Sequence, residues 1–200
     1  ALSRSEVIEK LDRESLLPAI TFIFSRKACD AAVKQCLQAG IRLTNEKERE
    51  RIRSIVAKNI GNLAQDDLVV LGYYEWLEAL ERGIAAHHAG LLPAFKTTVE
   101  DLFQEGLVKA IFATETLALG INMPARTVVL EKLSKWNGEG HVAISAGEYT
   151  QLTGRAGRRG IDIEGNAVIL WNNDLDSNSV GGLASTRTYP LRSSFKPSYN

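Results

Sequence analysis

The segment Gln151-Leu-Thr-Gly-Arg-Ala-Gly-Arg-Arg-Gly160 concentrates chemistry that can act on phosphate. Ser145 with Glu148 three positions later has the pattern of a capping box and predicts a helix over 146–158. On such a helix Gln151, Arg155 and Arg158 fall at i, i+4 and i+7 and share one face. Two guanidiniums on one stripe can straddle a phosphate, because each planar fork matches two of its oxygens. Gly154 and Gly157 disfavour that helix by up to about 1 kcal/mol each relative to alanine. Close approach by another backbone segment would account for them. Spacing alone also admits a solvent-facing basic helix end, where the dipole already favours arginine.

Three more corners carry polar groups. In Phe112-Ala-Thr-Glu-Thr-Leu-Ala-Leu-Gly-Ile-Asn122 a strand runs into a short helix, with Thr114 and Thr116 where the strand ends. Their hydroxyls and the free N–H groups suit a phosphate oxygen, or Thr114 is an ordinary N-cap. His87-His88-Ala-Gly-Leu91 closes another strand. Adjacent strand residues point to opposite sides, so the two imidazoles do not form a metal site, and none is expected elsewhere. Backbone amides near Gly90 are the better candidates to meet an anion. Phe24-Ser25-Arg26 is a further strand-to-helix corner. The chain contains no G-x-x-x-x-G-K-S/T loop, no G-x-S-x-G, no H-E-x-x-H and no C-x-x-C. It offers groups that grip phosphate and none that activates water. An arginine pair without a nucleotide loop suggests a finger supplied to another domain's site.

The elements that must position these corners follow from periodicity. Helices are expected over 5–14, 27–39, 46–60, 67–81, 92–103, 115–119 and 146–158. Strands are expected over 19–24, 84–87, 107–113, 127–130 and 166–171, with a loop or hairpin insertion over 132–142. The 92–103 helix should turn Leu92, Phe95, Val99 and Leu102 inward. Alternation of strands and helices without repeats predicts an α/β doubly wound, mostly parallel sheet with helices on both faces. Ligands of such sheets sit at the carboxyl ends of the strands, where all four corners are expected to cluster.

The 200 residues allow about one domain, and 44% apolar with 24% charged residues is the mixture of an ordinary globule. Net charge is zero, which excludes a generic polycation. The balance is uneven: residues 1–176 hold 21 basic and 24 acidic groups, and residues 177–200 hold Arg187, Arg192 and Lys196 with no acid. That final stretch, rich in Ser, Thr and Asn, reads as an extended tail. Cys29 and Cys36 share one helix face and read as buried thiols, which places the chain in a reducing, cytoplasmic setting. No apolar run approaches the roughly 20 residues of a membrane span. The start, without methionine, suggests a piece of a longer protein.

Together the corners resemble the second RecA-like domain of superfamily 2 helicases, and more closely the Ski-type DExH-box RNA helicases. Phe22-Ile-Phe-Ser-Arg26 resembles motif IV, His87 to Leu91 the family's corner after the next strand, Ala113 to Pro124 motif V, and Gln151 to Gly160 motif VI. The wording at Arg42-Leu-Thr, Thr186 to Arg192 and Ser194 to Asn200 is similar to actinobacterial HelY-type members. The resemblance implies a RecA-like domain over 1–176 and a linker over 177–200 leading toward a winged-helix region. It implies that Arg155 and Arg158, chiefly Arg158, reach the γ-phosphate of ATP·Mg held by a first RecA-like domain. Gln151 would couple that site to the first domain's acidic motif, and Gly120 and Asn122 would edge the nucleotide. Thr114, Ser25, Arg26 and Gly90 would hold the nucleic-acid backbone. RNA is the implied partner, with DNA open, and RNA-degradation machinery a further one. The P-loop and DExH segment of the family are missing here, so the chain alone is expected neither to bind ATP tightly nor to hydrolyse it. A scaffold that binds nucleic acid without catalysis is the other reading.

Overall fold

The computed structural model describes residues 2–117 and 123–170, and the backbone of 194–195. The expectations for Gly120, Asn122 and most of the 177–200 tail lie outside the described residues.

The chain begins with α1 (Arg4–Arg13), whose start is fixed by a reciprocal capping box between Ser3 and Glu6. Then come β1 (Ala19–Phe22), α2 (Arg26–Gln38), α3 (Glu46–Ile60), α4 (Gln65–Val70) and α5 (Tyr73–Glu81). They are followed by β2 (Ile84–His87), α6 (Pro93–Gln104), β3 (Ala110–Ala113) and β4 (Thr127–Leu130). An antiparallel hairpin, β5 (Ser134–Trp136) with β6 (His141–Ala143), precedes α7 (Ala146–Thr153) and β7 (Asn166–Ile169). A two-residue strand, β8 (Ser194–Phe195), ends the order.

Among the described residues the main sheet runs β2-β3-β1-β4-β7-β8. Its first five strands are parallel, and β8 adds antiparallel to β7. Every residue of the five parallel strands is buried, the signature of a sheet covered on both faces. Alternation sorts them between two apolar layers. Ile20, Phe22, Ile111, Val128 and Ala167 pack with Ile52, Val99, Leu102 and Tyr149 of α3, α6 and α7. Ala19, Phe112, Val129 and Val168 face Ile8, Leu11, Cys29, Ala32 and Cys36 of α1 and α2. The fold is RecA-like α/β. Both cysteines are buried free thiols, and burial pushes each thiol up to about 12. No helix among the described residues is long and apolar enough to cross a membrane.

Three local expectations are corrected. The 67–81 helix is two helices, broken at Gly72, whose φ of 71° is a left-handed conformation that glycine adopts without steric cost. Leu92, expected inward, is exposed; it is the N-cap residue of α6, before Pro93 opens the helix. Most consequentially, α7 stops at Thr153, with Gly154 as its C-cap. Arg155 and Arg158 therefore do not extend a helical stripe begun by Gln151.

Candidate functional site

At the carboxyl ends of the three adjacent strands β2, β3 and β1 the polar corners form one rim. After β1, Ser25 caps α2, its Oγ accepting the N–H of Ala28 at 3.2 Å, and exposed Arg26 opens the helix. After β2, the two imidazoles diverge as strand geometry requires. His87 Nε2 meets Glu100 Oε1 of α6 at 2.8 Å, and His88 Nε2 meets Asp30 Oδ1 of α2 at 2.8 Å. Burial pushes His87 below its usual range, against the opposing pull of Glu100. The Gly90 N–H donates to His88 Nδ1 at 3.1 Å, so the ring accepts on one nitrogen and donates to Asp30 from the other.

Gly90 is small for a reason. A Cβ there would lie 3.0 Å from His88 Nδ1 and 3.6 Å from Arg26 Cδ. The same closeness brings Gly90 and Arg26 together. After β3, Thr114 is buried; its N–H donates to His87 O at 3.3 Å and its hydroxyl shares a 2.9 Å hydrogen bond with Thr116. Ser25, Arg26, Gly90 and Thr114 thus share one edge of the sheet.

The arginines lie elsewhere. Helix α7 opens with the expected capping box, Ser145 Oγ accepting from Glu148 N at 3.1 Å and Glu148 accepting from Ser145 N at 3.3 Å. Lys135 of the hairpin also bonds Glu148. Past Thr153 the chain turns to pair Ala156 with Ala125 in a lone parallel bridge. Ala125 N donates to Arg155 O at 2.9 Å and Gly157 N to Ala125 O at 2.6 Å. Gly157 has a φ of 92°, which L side chains rarely adopt. This is the close backbone approach that the glycines suggested. Ala125 immediately precedes Arg126 and β4, so the turn enters at the amino end of that strand. The expectation that all the corners cluster at the carboxyl ends holds for the rim and fails for this turn. Gln151 is exposed on α7 itself.

Within the turn Arg158 is held by Asp162. Its Nε and a terminal nitrogen donate to the carboxylate at 2.9 and 3.0 Å, and its backbone N–H donates to the same group at 2.9 Å. The hydrogen bond from Arg158 holds the Asp162 carboxyl below the usual range, with further help from the Arg158 and Arg126 charges. Burial disfavours the charged form of Arg155. Sequence reasoning missed Asp162, Asp30 and Glu100. The Arg-x-x-x-Asp spacing was a visible signal for the first; the other two depend on contacts between distant segments.

Residues 32–160 match the model of the helicase conserved C-terminal domain. The chain belongs to that helicase family. Similar proteins include the "Probable helicase HelY" of Mycobacterium tuberculosis (strain H37Rv), 68% identical over 98% of this chain and 22% of that protein. The "Antiviral helicase SKI2" of Saccharomyces cerevisiae is 37% identical over 98% of this chain and 15% of its own length. The human "Exosome RNA helicase MTR4" is 37% identical over 98% of this chain and 18% of its own length. The chain thus spans about a fifth of the length of the curated relatives it matches. Of the helicase-domain residues discussed, Gly90, Thr114, Gln151, Arg155 and Arg158 lie inside the matched span; Ser25 and Arg26 precede it and Asp162 follows it.

Proposed function

We propose that this helicase domain is the C-terminal RecA-like half of an ATP-dependent RNA translocase, with its two polar regions doing different work. The observation that carries the reading is the arginine turn. Arg155 and Arg158 lie on a backbone-bridged turn with a left-handed glycine between them, in a chain with no nucleotide loop of its own. Such a turn suits a phosphate presented by another domain, and there the arginines stabilise the charge that develops as the γ-phosphoryl group leaves. Ile161 and Ile163 beside them are 68% and 97% exposed, apolar surface that a neighbouring domain would cover. Mg²⁺ travels with ATP on the first RecA-like domain, where Gln151 would make its contact.

The rim is the nucleic-acid grip. Arg26 offers a cation and the Ser25 and Thr114 hydroxyls offer neutral polar groups to successive phosphates and sugars, while Gly90, whose N–H is taken by His88 Nδ1, lets the strand's backbone approach closely. Closure of the cleft on ATP would shift the contacts of Thr114, Ser25 and Gly90 along the strand. RNA is favoured over DNA because the human relative at 37% identity is named an exosome RNA helicase, which also makes RNA-degradation machinery the partner to test first. The winged-helix region would pack beyond the tail.

The test uses the full-length protein. Replacing Arg155 and Arg158 by alanine together should abolish RNA-stimulated ATP hydrolysis while ATP still binds. Wild-type turnover without either arginine contradicts the proposal and favours a scaffold that binds nucleic acid without catalysis. The 200-residue chain by itself should bind RNA and show no ATPase.

A further inference from the structure

Asp162 has no part in the roles assigned above, yet it is the most completely enclosed acid of the arginine turn. Its carboxylate is 3% exposed, while the Arg158 side chain it holds is 25% exposed. Backbone bonds close the same loop: Asp162 N donates to Arg158 O at 2.9 Å and Ile161 N to that oxygen at 3.1 Å. The residues on either side, Ile161 and Ile163, face solvent. An acid turned inward between two isoleucines turned outward inverts the ordinary burial preference. An exposed ion pair would contribute little to stability, and one with a buried acid carries a desolvation cost. For Asp162 the pairing outweighs that cost, since its carboxyl stays below the usual range, but stability does not require an acid to point inward between two apolar residues that point out.

The geometry does. A guanidinium carries five N–H donors in a rigid fork. Asp162 engages the Nε hydrogen and one hydrogen of a terminal nitrogen, fixing the plane of the group. Three donors remain on its outer edge. We propose that Asp162 is a positioning residue: it holds Arg158 in the one plane from which those outer donors meet the γ-phosphate of ATP. The proposal rests on the reading of Arg158 as a phosphate-facing finger. Asp162 itself touches no phosphate; two anions would repel. Its effect passes wholly through Arg158, and Arg158 keeps its bond to Asp162 while it acts.

The experiment is a double-mutant cycle in the full-length protein, reading kcat and KM for ATP, RNA affinity and melting temperature. Asp162→Asn keeps the volume and an acceptor for the Arg158 backbone N–H, and removes the charge and the paired fork. It is expected to lower kcat about 10- to 100-fold, the scale of a misplaced catalytic group, with KM and RNA affinity near wild type. Added to Arg158→Ala it should cost nothing further, because the two residues act as one unit. Asp162→Glu keeps the charge and shifts the carboxylate by one methylene; kcat should fall with the melting temperature unchanged, which a merely structural acid would not produce. Wild-type kcat in Asp162→Glu, or a loss in Asp162→Asn that adds in full to that of Arg158→Ala, overturns the proposal. Wild-type turnover in Arg158→Ala alone overturns instead the finger reading beneath it.

Discussion

The rim and the arginine turn are held in place by different means. At the rim, side chains do the fixing: His87 is anchored to α6 by Glu100, His88 to α2 by Asp30, and Gly90 to the His88 ring. The helices on both faces of the sheet thus set the position of one edge. At the turn backbone pairing takes part in the fixing, through the Ala125–Ala156 bridge and the left-handed Gly157, and the Asp162 carboxylate holds Arg158. The lesson is a division of labour. The rim takes its position from the helices that flank the sheet, while the turn is paired to the chain just before β4.

Substitutions that break one region and spare the other test that division. Among substitutions that act through the backbone, the largest effect is expected from Gly157→Ala, which forces a side chain onto a φ of 92° next to the bridge. Strain of about 1–2 kcal/mol and a displaced arginine should lower both melting temperature and ATP turnover, the latter on the order of 100-fold. RNA affinity should remain near wild type; its loss alongside turnover would mean that the regions are not separable. A smaller effect is expected from Gly90→Ala. The new Cβ meets the His88 ring at 3.0 Å, so the ring must give way. Affinity for single-stranded RNA should fall a few-fold with ATP binding unchanged, as measured by titration with each ligand, whereas unaltered RNA affinity would remove Gly90 from the grip.

The smallest effect concerns pH. The His87 pKa is depressed in the folded domain, so the unfolded chain takes up a proton first as pH falls. His87 therefore contributes stability that is present above the free imidazole value of 6.5 and is lost as pH falls below it toward the folded value. The melting temperature should decline over that window, and His87→Asn should flatten the decline. An equal decline in the variant would move the pH dependence to other groups.

Much of the frame was legible because local pattern and burial agree. The strands at Ile84–His87 and Thr127–Leu130 and the helix at Glu46–Ile60 fall where the apolar runs and the sparse Ile52, Ile55 and Val56 stripe place them. The rim was legible for the same reason: its residues follow directly on buried strands. The turn was misread. Gln151, Arg155 and Arg158 keep helical spacing past the point where the helix ends, and what ends it is pairing with Ala125, a partner that no local periodicity displays. The split at Gly72 is a milder version, since Leu68, Leu71, Leu77 and Leu80 continue a helical rhythm across a residue that leaves the helix. Asp30 was invisible because it meets His88 from 58 positions away.

The central claim is that the turn completes a nucleotide site on another domain. Its most direct measurement compares ATP binding with ATP hydrolysis in full-length Arg158→Ala, at saturating RNA. The account predicts binding within about twofold of wild type and single-turnover hydrolysis reduced on the order of 10³-fold or more. Hydrolysis at the wild-type rate, or loss of ATP binding to match the loss of hydrolysis, would contradict it.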